Sequence, residues 1–244
     1  MRSEPDYRGR DLMCQEYIEQ TETAEYRFNS DDFEPGFWAS KGGVELQGGR
    51  GGSMKIEICN QPLVLHRYLR GGMIAKLLDD QYLWNGLHNT RPFRERIVVQ
   101  HAQSCGLPVP DMLAFQVRRN GIFYRAACIN QFISNTGTLA DAIGRQPRTA
   151  EGWEQVGRLI RKMHDAGINH VDLNANNILV DTPVGLHLID FDKAVVQRHQ
   201  GHWRDRNIQR LLRSLHKIQA RRQDLGQTFH FSEKDWNNLL RGYK

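Results

Sequence analysis

No apolar run in this 244-residue chain approaches the roughly 18 residues that a membrane-spanning helix needs, and the polar N-terminus has no hydrophobic signal core. The expected setting is therefore the cytoplasm. Cysteine is also scarce: Cys14, Cys59, Cys105 and Cys128 stand far apart without a C-x-x-C, which excludes a disulfide framework and a zinc site and predicts reduced, mostly buried thiols. Acidic residues fall short of basic ones, 28 against 33, for a net charge of +5 and a pI near 9.1. Such a surplus favours an anionic partner: a nucleotide, a nucleic acid or an acidic lipid. With 39% hydrophobic and 25% charged residues, the chain can bury a full core in one large domain or two lobes.

What is present is concentrated at His170-Val171-Asp172-Leu173-Asn174-Ala175-Asn176-Asn177-Ile178-Leu179, an H-x-D-L-x-x-x-N pattern followed by an apolar pair. Kinase catalytic loops are written this way. The Asp accepts the proton of the acceptor hydroxyl, and the Asn offers its side-chain oxygen to a magnesium ion. The short spacing lets base and metal ligand converge on one phosphoryl group. Leu188-Ile189-Asp190-Phe191-Asp192 follows after a short turn and puts Asp190 where the Asp of D-F-G would stand. Either motif alone is usually a loop turn or a strand end. In this order, with an apolar strand between them, they make Asp172 the candidate base and Asn177 and Asp190 the candidate magnesium ligands. His170 is read as packing beneath the loop and hydrogen-bonding it into shape.

Residues 1–20 are polar and mixed in charge, which predicts a loosely held start. Val44-Glu45-Leu46 is a short alternating strand running into a glycine-rich stretch. Gly48, Gly49 and Gly51 there are candidates to bring backbone N–H groups against phosphate oxygens; a flexible hairpin turn is the alternative. Residues 54–58 and 62–68 read as two strands with a turn at Asn60-Gln61. The second has no Lys where protein kinases write V-A-I-K, so the phosphate-holding cation is Arg67, His66 or Lys76, with Arg67 preferred. A helix over 92–102, with Ile97, Val98, His101 and Ala102 on its apolar side, places Glu95 to pair with that cation. Gly106-Leu107-Pro108 stops it. Two more strands follow over 112–117 and 122–129, then a connection at 130–133. A helix over 149–166, capped by Thr149 and ended by Gly167, delivers the chain to His170.

Downstream, residues 203–222 predict a helix whose core face is Ile208, Leu211, Leu212, Leu215 and Ile218. Arg204, Arg206, Arg210, Arg213, Lys217, Arg221 and Arg222 crowd the rest. Such a surface either faces an anion or is simply solvated.

Beyond the two kinase motifs, Leu65-His66-Arg67-Tyr68-Leu69-Arg70-Gly71-Gly72, Ala75-Lys76-Leu77-Leu78, Tyr82-Leu83-Trp84, Phe93-Arg94-Glu95, Gly106-Leu107-Pro108-Val109-Pro110 and Arg210-Leu211-Leu212-Arg213-Ser214-Leu215 together carry a resemblance. The chain resembles the lipopolysaccharide-core kinases with a protein-kinase-like fold, most closely the 3-deoxy-D-manno-octulosonic acid (Kdo) kinases. The resemblance implies an α+β, two-lobed, protein-kinase-like fold, with a small β-rich N-lobe over residues 1–130 and a mainly helical C-lobe over 131–244. It implies transfer of the ATP γ-phosphate, with Mg²⁺, to a hydroxyl of Kdo on lipid A. The setting it implies is peripheral, on the anionic cytoplasmic face of a bacterial inner membrane. A nucleic-acid binder would also fit the pI, but it would need a binding motif or aromatics interleaved with the basic run, and only Trp203 borders that helix, so no nucleic-acid partner is expected. Heptose kinases of the same core share much of the pattern and are the alternative. A pseudokinase-type binding module is a third reading, motivated by the missing strand Lys.

The departures from protein kinases fit a small or glycolipid acceptor. Val171 replaces the Arg that would bind a phosphorylated activation loop, and no A-P-E follows Asp190. Asn174 stands where protein kinases place a Lys near the transferred phosphate, so that charge must come from Mg²⁺ or from elsewhere. Asp192 replaces the Gly of D-F-G.

Overall fold

The structure is a computed structural model that describes residues 14–46, 52–69, 80–181, 185–197, 199 and 201–244. The chain divides into two compact units, Met1–Phe93 with Met112–Asn130 and Arg94–Asp111 with Gln131–Lys244. The stretch 94–111, expected with the strands, groups with the helical unit.

The first unit is built on an antiparallel sheet. Its elements are β1 (Cys14–Gln20), the short α1 (Pro35–Ala39), β2 (Val44–Glu45), β3 (Ser53–Ile58), β4 (Gln61–Arg67), β5 (Tyr82–Leu83), the start of α2 (Arg91–Ser104), β6 (Met112–Asn120) and β7 (Phe123–Gln131). The strand order is β1-β6-β7-β4-β3-β2, with β5 paired to β7. Alternation decides which side chains go inward: Met54, Ile56 and Ile58 on β3 and Leu63 and Leu65 on β4 join Phe28, Phe33 and Trp38 in one core, while Lys55 and Glu57 are exposed. The opposite face packs Tyr68, Phe115, Val117 and Tyr124 with Trp84 and Phe93.

Three expectations are corrected in this unit. Residues 14–20, expected to be loosely held, pair in register with β6 from Cys14↔Asn120 to Gln20↔Ala114. The strand has little apolar alternation to announce it. Its ladder is reinforced instead by Glu16, which binds Arg118 Nε at 2.9 Å and accepts from Ser30 Oγ at 2.6 Å. The β3–β4 turn sits at Cys59-Asn60, both at positive φ (51° and 61°), so Ile58 pairs with Gln61. Of this unit's thiols only Cys128 is buried, while Cys14 and Cys59 are exposed, as is Cys105 of the second unit.

The second unit gathers the rest of α2 with α3 (Leu139–Arg145), α4 (Ala150–Asp165), β8 (Ile168–Asn169), β9 (Ile178–Val180), β10 (Leu186–Leu188), β11 (Val195–Val196), α5 (Trp203–Asp224) and α6 (Glu233–Tyr243). Thr149 caps α4 by accepting from the N–H of Gly152 at 3.0 Å, and Gly167, at φ +73°, lets the chain turn after the helix. Trp153, Val156, Ile160 and Met163 of α4 pack with Ile208, Leu211 and Leu215 of α5 and Leu239 of α6 in one core. On α2 the buried face is Glu95, Val98, Val99 and Ala102, whereas Ile97, expected inward, is 51% exposed. One helical position of rotation separates the two readings. Among the described residues no helix is long and apolar enough to cross a membrane.

Candidate active site

The catalytic-loop motif lies within the second unit, and secondary structure fixes both of its ends. Before it, β8 pairs with β11 through Asn169↔Val195 and Ile168↔Val196, and Gln197 donates its N–H to the carbonyl of Gly167 at 2.7 Å. After it, β9 and β10 form a hairpin. Between them the loop is folded by its own polar side chains. Asn174 Oδ1 accepts from the N–H of Asn176 at 2.8 Å while its Nδ2 donates to the carbonyl of Asp172 at 2.8 Å. Leu173 and Ala175 are fully buried beneath it.

His170 has the structural role expected of it. It is almost fully buried, its Nε2 lies 3.1 Å from the carbonyl of Ile189, and its ring packs on Phe191 with centroids 5.0 Å apart. Burial holds its imidazole below the usual range, although the Ile189 carbonyl and the carboxylates of Asp190 and Asp172 pull the other way.

Asn177 and Asp190 come together. Asn177 Nδ2 lies 3.2 Å from the carbonyl of Asp172 and 3.4 Å from Asp190 Oδ2, which leaves the Asn177 side-chain oxygen as an acceptor. Asp190 sits in the left-handed region at φ +64°. Asp and Asn tolerate that region better than other non-glycine residues, and such outliers cluster at functional sites. Here the conformation is fixed on both sides: Ile189 donates to the carbonyl of Asn177 at 3.0 Å, and Phe191 is buried.

Among the described residues no cluster of three or more His, Cys, Asp or Glu side chains forms a metal cage. A carboxylate and an amide oxygen nevertheless suit magnesium, a hard cation that takes one or two protein oxygens and completes its shell with water and substrate phosphates.

Asp172 lies between two cations that sequence reasoning did not connect to it. Lys193 Nζ stands 2.6 Å from Asp172 Oδ2, and the Arg210 guanidinium binds Oδ1 from α5. Burial alone would raise the Asp172 carboxyl, but the two cations outweigh it and hold the group below the usual carboxylate range. Lys193 was legible only as the next residue after Asp190-Phe191-Asp192. Arg210 was counted with the exposed charge of its helix.

Asn207 was also missed. It is buried on the core side of α5, accepts from the N–H of His170 at 3.1 Å, and donates to Asn169 Oδ1 at 2.9 Å. Its oxygen also lies 3.3 Å from His164 Nε2, while His164 Nδ1 is 2.7 Å from the Tyr243 hydroxyl. Burial pushes the His164 imidazole down to about 4, against the support of Asn207. Two α5 turns farther on, Ser214 Oγ accepts from the N–H of Ala175 at 3.2 Å. The signal that points to Asn207 is a lone amide next to Ile208 on an otherwise apolar helical stripe.

Glu95 is buried on α2. In the first unit, Arg67 pairs with Asp80 at 3.0 Å, and Arg125 binds the other Asp80 oxygen at 2.8 Å. These groups line a cavity of about 400 Å³ with Arg118 and Arg119. Arg67 follows Leu63 and Leu65 at strand period two, whereas His66 points to the other face of β4, with its Nδ1 at 2.9 Å from Ser53 Oγ. Gly48, Gly49, Gly51 and Lys76 lie outside the described residues.

Residues 36–243 match the lipopolysaccharide kinase (Kdo/WaaP) family. The chain is 42% identical over 214 residues to a 3-deoxy-D-manno-octulosonic acid kinase of Stenotrophomonas maltophilia, covering 88% of this chain and 84% of that protein. A protein of the same name from Xylella fastidiosa is 40% identical over 211 residues, 86% of this chain and 82% of the relative. One from Xanthomonas campestris is 40% identical over 212 residues, 87% and 83% respectively.

Proposed function

From the premise that this chain belongs to the lipopolysaccharide kinase (Kdo/WaaP) family, we propose that it transfers the γ-phosphate of ATP to a hydroxyl of a Kdo sugar on lipid A. The observation that carries this reading is the convergence of Asp172, Asn177 and Asp190 in one loop system within the second unit. The relatives' shared name supports Kdo over heptose as the acceptor.

In this reading Asp172 takes the proton of the acceptor hydroxyl as the new bond forms between that oxygen and the γ-phosphorus. The bond from the γ-phosphorus to the bridging oxygen breaks, and ADP leaves. Asn177 and Asp190 would hold magnesium, which supplies positive charge to the phosphate oxygens. His170 and Asn207 keep the loop in shape from below. Glu95 in the second unit, one cation among Arg67, His66 and Lys76 in the first, and Gly48, Gly49 and Gly51 are each assigned to handling the nucleotide phosphates.

The acceptor's acyl chains lie in a bilayer, so the protein works as a peripheral enzyme on the cytoplasmic side of the inner membrane. Arg206, Arg213, Lys217 and Arg221 on the exposed side of α5 supply the attraction to anionic lipid. Arg204 is excluded from that surface because it binds Asp165 Oδ1 at 3.1 Å and the His164 carbonyl at 2.7 Å.

The deciding experiment incubates purified protein with labelled ATP, Mg²⁺ and either Kdo-lipid A or a heptose-extended acceptor lacking a free Kdo hydroxyl, and reads the lipid by mass spectrometry. One added phosphate on the Kdo of the first acceptor is expected. Phosphate confined to heptose would move the assignment to the heptose kinases, and ATP binding without transfer to either would make the chain a binding module.

A further inference from the structure

The loop position that carries a Lys in protein kinases holds Asn174 here, and that side chain is committed to the loop itself. Its oxygen accepts from Asn176 and its amide donates to the Asp172 carbonyl, so it folds the turn and brings no charge to a phosphate. Resting on the kinase reading above, we propose that Lys193 is the catalytic residue that supplies this charge, its ammonium moving from Asp172 to an oxygen of the transferring phosphoryl group.

Three features carry the assignment. The first is occupancy of the base. Lys193 takes one carboxylate oxygen of Asp172 and Arg210 takes the other, yet an acceptor hydroxyl needs one of them. Each oxygen keeps a second lone pair for that hydroxyl, but two bound cations hold the carboxylate's basicity down, and the withdrawal of one raises it for proton transfer.

The second is which cation can yield. Arg210 projects from the third turn of α5, a long helix whose opposite side is packed in the core; its side chain is about as exposed as that of Lys193, so the difference lies in the backbone that bears each and in the shape of each charge. Lys193 is a half-exposed side chain with a flexible stem and a compact charge on a short turn. An arriving γ-phosphate offers that ammonium more negative charge than one carboxylate does. Its departure frees Asp172 Oδ2 while Arg210 keeps Oδ1 in place.

The third is placement. The turn that bears Lys193 starts at buried Phe191, directly after the metal-ligand candidate Asp190, and closes through the N–H of Ala194 donating to the Phe191 carbonyl at 2.8 Å. Two residues on, β11 anchors the chain to β8, immediately before His170. The stem of Lys193 is thus held within reach of Asp172, on the turn that follows Asp190 in the chain, while its half-exposed tip can exchange partners. The bonds that form and break are those of the phosphoryl transfer already described; Lys193 contributes charge and neither gains nor loses a proton.

The test compares Lys193→Met and Lys193→Arg with wild type. Steady-state kinetics on Kdo-lipid A is paired with binding of ADP alone and of ADP with aluminium fluoride and Mg²⁺, a mimic of the phosphoryl group in flight. Removal of a charge-stabilising group aimed at the transition state costs about 10²–10³ in kcat, and that loss is expected for Lys193→Met with the KM for ATP little changed. The same variant should bind ADP normally and lose the extra affinity conferred by aluminium fluoride, and Lys193→Arg should restore part of both.

Lys193→Met with near-normal kcat at neutral pH, and only its acid limb moved upward, would mean that Lys193 merely lowers the Asp172 pKa, and the proposal would be overturned. Equal loss of ADP and of aluminium fluoride binding, together with a lowered melting temperature, would also overturn it in favour of a structural role. Wild-type protein that gains affinity with aluminium fluoride but phosphorylates no Kdo would defeat the acceptor reading instead. The binding comparison would still decide Lys193.

Discussion

Asn207 of α5 accepts the backbone N–H of His170 at 3.1 Å, so the first residue of the catalytic loop is hung from the second turn of a long helix. Because the same amide also meets Asn169 and His164, its loss leaves several buried polar groups unpaired at once. Each such group costs about 1–3 kcal/mol. Asn207→Leu is expected to lower the urea midpoint and reduce kcat together, while Asn207→Asp keeps the acceptor for His170 and retains more of both. An unchanged midpoint in Asn207→Leu would show that the loop is held by other contacts.

Asp172→Ala is expected to keep ATP binding and lose transfer by about 10²–10⁴, the usual worth of a positioned base. Isothermal titration with ATP alongside single-turnover transfer checks it. Turnover near wild type would remove Asp172 from the base role. The variant also frees Lys193 and Arg210 from their shared partner, so ATP affinity is expected to hold or rise rather than fall.

Asp190→Asn and Asn177→Ala each remove a charge or an oxygen from the candidate magnesium site. Half-maximal activity should then require more Mg²⁺, with Asp190→Asn the more affected because it loses the charge. Magnesium titrations superimposable on wild type for both variants would mean that neither residue is a ligand.

Stability should fall on acidification because of His164. Its folded pKa is depressed to about 4 by burial, against about 6.5 in the unfolded chain, so the unfolded state takes up a proton that the folded state refuses. The contribution is fully present above about pH 6.5 and is lost as pH falls towards 4, amounting to about 3 kcal/mol. The groups around the ring, Arg204, Arg161, Asp165 and Tyr243, set the balance. Melting temperatures recorded from pH 7.5 to 4.5 are expected to drop more steeply for wild type than for His164→Gln. Parallel curves would assign the acid sensitivity elsewhere.

Replacement of Arg213, Lys217 and Arg221 by Gln is expected to weaken binding to anionic vesicles and raise the KM for lipid-embedded acceptor, with little change for a delipidated sugar. Each cation near such a surface is worth about 1 kcal/mol. Arg222 is left out of this set because its guanidinium stacks over Phe229 at 5.8 Å and lies against Gly144. Equal loss on both acceptors would show that these residues serve the fold or the catalytic centre.

The catalytic loop was legible because its residues are contiguous: a pattern from His170 to Asn177 brings its own geometry with it. The α4 boundaries were legible for a similar reason, since Thr149 and Gly167 act locally. Contacts made across the fold were not. Lys193 reaches Asp172 from 21 residues downstream and Arg210 from 38, and nothing in local spacing distinguishes them from solvated cations. Strand β1 escaped notice because its partners are about 100 residues away and supply the order that its own polar sequence lacks. Ile97 was taken as inward because an apolar side chain is expected to face the core, and the buried acid Glu95 on the same helix breaks that rule.

The left-handed backbone at Asp190 also limits how this protein can drift. Glycine, asparagine and aspartate sit there at little steric cost, while a β-branched or bulky residue must distort the turn. A library saturating this codon should therefore sort into tiers. Most variants would be poorly folded, a small set containing Asn and Gly would be folded but weakened in chemistry, and aspartate alone would keep both. Two independent filters, one conformational and one chemical, overlap at a single letter of the alphabet.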